Sequence, residues 1–248
     1  MLTKAKIKDI QSLQHKKFRD ETGLFLAEGP KVVIEILRSS KFDCVEIYAL
    51  EGWLEQLPAS DLLLVSPFHG VVQPFELEKM SALVTPHQVL AVFAKRKEMP
   101  VAEVKGEITL VLDDIRDPGN MGTIIRTAHW FGISQIVCSP GTVDIYNGKV
   151  VQSTMASLGQ VDVYYTNLPE WMGQQAKVPI LAAVLNGKPL KDFSGIKEGI
   201  LIIGNESNGI SPAVLSLADT HVTIPRFGDA ESLNAAVATA LFLYEFKR

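Results

Sequence analysis

The sequence predicts an α/β protein: a small α/β unit followed by a larger one built on a mostly parallel sheet with helices on both faces. Three observations predict it. In the second half of the chain, short and nearly continuous apolar runs alternate with helical patterns, as parallel strands buried on both sides require. A weaker alternation of the same kind occupies the first part. Between them Lys95–Gly106, KRKEMPVAEVKG, mixes charge with Pro100 and interrupts the apolar periodicity, as a linker does. The expected division is a first domain at 1–97, a linker at 98–106 and a second domain at 107–248.

Taken in order, Leu24–Ala27 is apolar and short, a strand. Pro30–Arg38 is a helix opened by proline, whose missing N–H is not needed in a first turn. The β-branched and aliphatic runs Val45–Ala49, Leu62–Val65 and Val89–Ala94 predict further strands, and Pro74–Met80 a helix. Beyond the linker, Ile108–Leu112, Gln135–Cys138, Val161–Tyr165, Ile180–Val184, Ile200–Ile203 and His221–Ile224 predict six strands. Helices are predicted at Met121–Phe131, at Pro212–Ala218 and at Leu233–Phe246. Ser211 supplies a capping hydroxyl before Pro212. Ligands of such sheets bind beyond the carboxyl ends of the strands.

The bulk properties narrow the function. The 248 residues are 47% hydrophobic and 21% charged, so a real core forms and global disorder is excluded. A net charge of -4 does not advertise nucleic-acid binding. Locally the balance differs. Lys4, Lys6, Lys8, Lys16, Lys17 and Arg19 crowd the N-terminus against Asp9, Asp20 and Glu21, and Lys95, Arg96 and Lys97 form a second cluster. Either cluster meets phosphate or is a solvated face. Cys44 and Cys138 make no disulfide framework, no Cys or His spacing indicates a metal, and a reducing compartment follows. The N-terminus lacks a signal-peptide apolar region and no apolar run approaches a membrane span, so a cytoplasmic protein is expected.

Three segments stand where predicted strands end. In LDDIRDPGNMGTIIRTAHWFG, Leu112–Gly132, the turn carries Asn120 and Gly122, with Arg126 on the helix that follows. Asn120 either caps the helix or faces a ligand, and Arg126 either pairs with a carboxylate such as Asp113 or Asp114 or is free to act. In LIIGNESNGISP, Leu201–Pro212, Gly204 and Gly209 suit tight backbone geometry, and Glu206 can accept hydrogen bonds from a ligand or fix Arg126. In IPRFGDAESLNAAVATALFLYEFK, Ile224–Lys247, Ser232 or Asn234 opens a final helix whose Ala235, Ala236, Ala238 and Ala240 make one end narrow. None of these is a known phosphate cradle or metal motif.

Together the three segments resemble the SpoU (TrmH-like) family of RNA ribose 2′-O-methyltransferases, within the SPOUT class. Asn120, Gly122 and Arg126 match its N-x-G-x-x-x-R motif. Gly204, Asn205, Glu206 and Gly209 match G-N-E-x-x-G, and Ile224, Ser232, Leu233 and Asn234 match the third motif, all in the family's order. FLAEGPKVVIEIL, Phe25–Leu37, resembles the family's L30e-like substrate-binding domain. Two positions depart from the pattern. Ala236 stands where the family often has a hydroxyl, and Pro225-Arg226-Phe227-Gly228 stands where it usually begins with Met and glycines.

The resemblance implies a trefoil knot in the second domain and S-adenosylmethionine as cofactor. It implies cofactor contacts, mainly through backbone, from Leu185, Gly204, Asn205, Ile224 and Leu233, and no metal. It implies a catalytic set of Arg126, Asn120, Glu206, Ser232 and Asn234. Arg126 would engage the phosphate beside the target ribose while the others hold it, the loop and the substrate in place. The implied partners are RNA, rRNA ahead of tRNA, and a second copy in a homodimer. The alternatives are methylation of tRNA, on ribose or base, and a non-catalytic RNA-binding factor that keeps the pocket.

Overall fold

The computed structural model describes residues 2–97, 101, 103, 104, 106–175 and 178–248. The chain forms two compact units. The first is Met1–Lys97 with Asp144–Gly159, and the second is Glu98–Val143 with Gln160–Arg248.

The first unit holds strands β1 (Leu24–Glu28), β2 (Cys44–Ala49), β3 (His69–Val71) and β4 (Val89–Ala94), in the order β1-β4-β2-β3. β4 runs antiparallel to β1 and β2, and β3 parallel to β2. Three of the four expected strands form. The expected strand at Leu62–Val65 is instead the end of the helix Ala59–Val65. A four-residue apolar run does not distinguish strand from helix by periodicity. Here Pro58 and Asp61 open a helical turn that buries Val65 and leaves Leu63 74% exposed.

The N-terminal basic cluster is two helices, Lys4–Ser12 and Lys16–Thr22, and several of its charges are paired. Lys6 lies 2.6 Å from Glu46, and Lys16 lies 2.7 Å from Asp20, which Lys95 of the second cluster also reaches. Arg19 is 2% exposed. Its Nε and Nη2 both donate to Asp144 Oδ2, at 3.1 and 2.7 Å, and its Nη1 donates to the Leu13 and Gln14 carbonyls. Asp144 begins the second piece of this unit. That piece also supplies buried Ile145, Val150, Val151 and Leu158, and the Tyr146 ring that packs on Phe25.

The second unit is a six-stranded sheet of β5 (Ile108–Asp113), β6 (Gln135–Cys138), β7 (Asp162–Tyr165), β8 (Ile180–Pro189), β9 (Gly199–Gly204) and β10 (Thr220–Thr223). Its order is β10-β8-β9-β5-β6-β7 and every neighbouring pair is parallel. All six expected strands form. Every residue of β5 is buried, as its unbroken apolar run requires in a sheet covered on both faces. Of the expected linker, Glu98–Pro100, Ala102 and Lys105 lie outside the described residues, while Val104 is buried in the core of this unit with Val101 against it.

Two features shape the end of this sheet where ligands bind. The β8–β10 ladder pairs His221 with Ala182 and then Val222 with Lys188, so residues 183–187 leave the ladder. The chain returns at Gly187, where a Cβ would lie 2.5 Å from the His221 carbonyl oxygen, so only glycine fits. The helix Pro118–Trp130 also begins three residues before its expected start, because Asp117 caps it and Pro118 occupies its first turn. Among the described residues no helix is long and apolar enough to cross a membrane.

Candidate active site

β5 and β9 end level with one another, Asp113 opposite Gly204, and two aspartates that follow from this placement hold the next loop. Asp113 is buried and its carboxylate accepts the Ser211 N–H at 2.7 Å. Asp114 has a φ of 61°, and its carbonyl accepts the Asn205 side-chain N–H at 2.7 Å. Asn205 in turn folds its own loop. Its side-chain oxygen accepts the Ser207 and Asn208 amides at 2.9 and 3.0 Å, and its backbone pairs in both directions with Gly209. The loop closes so tightly over Gly204 that a Cβ there would lie 2.4 Å from the backbone of Gly209 and Ile210. Gly204 and Asn205 are thus structural requirements of the loop that presents Glu206.

Glu206 is the first link of a directed polar chain that joins all three motifs. Its Oε1 accepts the Asn120 side-chain N–H at 2.5 Å. The Asn120 side-chain oxygen accepts from the Asn234 side-chain N–H at 2.8 Å. The Asn234 oxygen accepts the Ala236 and Val237 amides, at 2.9 and 3.3 Å, as the cap of the final helix, Ala235–Lys247. Each amide is oriented by what lies next to it, because N–H groups can only donate and the carboxylate only accepts. The helix amides at one end therefore dictate which face Asn120 turns to Glu206 at the other.

Two alternatives left open by the sequence are decided here. Asn120 does not cap its helix; Asp117 does, accepting the Asn120 amide at 2.8 Å and leaving the Asn120 side chain for the chain just described. Glu206 contacts Asn120, with no recorded bond to Arg126. Of the two openings left for the final helix, Asn234 is the cap and Ser232 lies outside it. The helix expected at Pro212–Ala218 ends at Leu215, and the one expected from Leu233 begins at Ala235.

Arg126 is exposed on the Pro118–Trp130 helix and makes no recorded ion pair or hydrogen bond among the described residues. The carboxylates expected to neutralise it are engaged elsewhere, Asp113 with Ser211 and Asp114 with Arg116 at 3.0 Å. Ser232 is exposed beside Leu233. On the next strands, Leu185 is 68% exposed, and its carbonyl accepts the Thr223 hydroxyl at 2.9 Å, which ties it to the end of β10 just before Ile224. Leu233 is 47% exposed.

Leu185, in the stretch of β8 that leaves its ladder with β10, Gly204, which ends β9, and Ile224, which follows β10, thus lie on three strands adjacent in the sheet. They offer apolar side chains and backbone groups, with the Asn205 turn alongside. That chemistry fits S-adenosylmethionine, whose adenine needs apolar cover and backbone partners. The loop-holding roles of Asp113, Asp114 and Thr223 arise from register between strands far apart in the chain, which the sequence does not carry. The cap at Asp117 is signalled by a carboxylate directly before proline.

Comparison with known proteins bears on the same residues. Residues 107–244 match the SpoU rRNA Methylase family, and residues 4–91 match the MRM3-like substrate binding domain. The chain is 32% identical, over 98% of its length and 96% of the relative's, to the 23S rRNA (guanosine(2553)-2′-O)-methyltransferase RlmP of Bacillus subtilis. It is also 32% identical, over 66% of its own length and 61% of the relative's, to a 23S rRNA (uridine(2479)-2′-O)-methyltransferase of Streptomyces viridochromogenes. Its fold superposes on the AdoMet-bound rRNA methyltransferase of Sinorhizobium meliloti with a TM-score of 0.86 and 31% identity, covering 99% of this chain and 95% of that one.

Proposed function

The chain belongs to the SpoU rRNA methylase family and is an S-adenosylmethionine-dependent rRNA ribose 2′-O-methyltransferase, and we propose that Arg126, Asn120, Glu206, Ser232 and Asn234 form its active site. The observation that carries the proposal is the unbroken Glu206–Asn120–Asn234 chain, which ties the three motifs into one site with Arg126 left free.

The reaction joins the ribose 2′-oxygen to the donor's methyl carbon while the sulfur–methyl bond breaks and the 2′-proton leaves. Bound S-adenosylmethionine supplies a methyl group already activated by its positive sulfur. What remains for the protein is to hold the hydroxyl in line and let its proton go. Arg126 is a poor proton acceptor, because a guanidinium stays protonated. It is a good phosphate clamp, since its fork matches two oxygens. Arg126 therefore holds the phosphate beside the target ribose and orients the hydroxyl, and the proton passes to phosphate or water. Leu185, Gly204, Asn205, Ile224 and Leu233 hold the cofactor, mainly through backbone. Requiring a 2′-hydroxyl restricts the enzyme to RNA.

Large-subunit rRNA is the substrate this reading favours. The two relatives above act on different 23S nucleotides, so neither target is carried over. The first unit is the RNA-binding domain. The protein works in the cytoplasm as a homodimer. Support for the dimer comes from Val237, Leu241 and Tyr244, which recur on one face of the final helix and are all exposed. The mass in solution, by light scattering, tests it.

Incubation with methyl-labelled S-adenosylmethionine and separate pools of unmodified rRNA and tRNA, followed by digestion to nucleosides, tests the reaction. Label in a 2′-O-methylnucleoside from large-subunit rRNA is expected. Label from the tRNA pool would overturn the substrate, and label on a base would overturn the reaction.

A further inference from the structure

The loop between β10 and the final helix carries a feature that the polar chain does not use. Phe227 is 98% exposed, the most exposed aromatic among the described residues. Among the described residues its ring joins no aromatic pair and no core cluster. Arg226 donates from Nη1 to the Ala230 carbonyl at 3.3 Å, bracing the loop from both sides so that Phe227, Gly228 and Asp229 form its tip. This loop also sets the position of the site. It leaves β10 at Thr223, whose hydroxyl is fixed on Leu185, and it ends in Asn234, which is bonded to Asn120. The Cα of Phe227, five residues from Ser232, lies within about 18 Å of the Ser232 Cα even at full extension.

From the braced tip and the bare ring we propose that Phe227 is a stacking platform for an unpaired nucleobase of the RNA substrate, next to the methylated ribose. The inference rests on the active site proposed above. Sequence-specific recognition of RNA targets single-stranded loops and bulges, whose bases are splayed out. Unstacked RNA bases are held on aromatic side chains, because every base presents a π-face whatever its sequence. Phe227 meets that need at the surface. Its ring is rigid and apolar, and the Arg226 side chain spans the loop beneath it to the Ala230 carbonyl. Asp229 lies in the tip and Glu231 just beyond it, while Arg226 at its base carries the opposite charge, so the bare ring is the tip's distinctive contact.

The test uses the full-length protein with F227A and F227W. Binding to an unmodified large-subunit rRNA transcript is measured by filter retention, S-adenosylmethionine affinity by calorimetry, and mass by light scattering. For F227A, RNA binding weakened about 5- to 150-fold is expected, with cofactor affinity and mass unchanged. F227W restores RNA binding. Unaltered RNA binding by F227A would overturn the platform. A lower mass for F227A would also overturn it and assign the ring to contact between copies. Weakened binding that F227W leaves unrepaired would overturn it too, by making the loop's shape the cause. Methylation by the wild-type protein is scored in parallel. Its absence would sink the active-site reading, while the binding data still decide the platform.

Discussion

Arg126 and Asn120 stand on one helix, yet one has no partner among the described residues and the other is bonded on both sides of its amide. The difference defines their parts. A clamp for an incoming phosphate must be free beforehand, whereas a residue that orients the site must already be held. If Arg126 acts through its fork, R126K keeps the charge and loses the two-point contact. A fall in kcat/KM of about 10- to 100-fold is expected, with S-adenosylmethionine affinity unchanged. Near-normal turnover by R126K would sink the bidentate role. Elsewhere, hydrogen bonds from Lys16 and then Lys95 hold the Asp20 carboxylate down at about 2. Its folded pKa lies below the unfolded value of about 3.9. The stability it contributes is therefore present above about pH 4 and is lost as pH falls toward about 2. An NMR titration should place its midpoint near 2, and K95M should raise that midpoint; an unshifted wild-type midpoint would remove the linkage. Burial in apolar surroundings pushes the Cys138 thiol well above its ordinary range, which leaves it an inert core residue.

At the scale of the element, Asn234 has two separable duties. Its oxygen caps the final helix, and its N–H group orients Asn120. N234A removes both and should cost about 1 kcal/mol of stability along with most activity. N234D keeps the capping oxygen but turns the donor toward Asn120 into an acceptor. It should unfold like the wild type in denaturant and still lose turnover, on the order of 100-fold, because a small misplacement at the reacting centre is enough. If N234D proved fully active, the polar chain would be a capping device only. Ala236 is buried, and its amide, not its side chain, meets Asn234.

At the scale of the molecule, the first unit is completed from two stretches of chain, and a buried ion pair joins them. Arg19 is inaccessible to water and Asp144 nearly so. Removing one partner strands the other charge, so R19A should lower stability by about 3–5 kcal/mol. R19M combined with D144L should recover much of that loss, since apolar groups of similar volume replace a buried pair at little cost. Denaturant unfolding of the two variants checks both outcomes. Equal losses in both would mean that the pair acts through its bonds to the Leu13 and Gln14 carbonyls.

What the sequence by itself determined is local in origin. The central strands β5, β6 and β9 of the second unit are legible because nearly every residue in them is buried, which leaves an unbroken apolar run. The three motifs are legible because asparagine, glutamate and glycine at strand ends serve no need of a plain connection. Tertiary structure alone decided how the motifs meet. Asn120, Glu206 and Asn234 are separated by 86 and 114 residues along the chain, counted from Asn120, and only the parallel register of β5 and β9 and the packing of the final helix bring their side chains into contact. It also decided the capping of Pro118–Trp130 by Asp117, the helix at Ala59–Val65 and the membership of Asp144–Gly159 in the first unit. A short apolar run satisfies either a strand or a helix, and a carboxylate's partner is set by which strands lie side by side. Composition and spacing carry neither fact, because both are settled by which surfaces pack to exclude water.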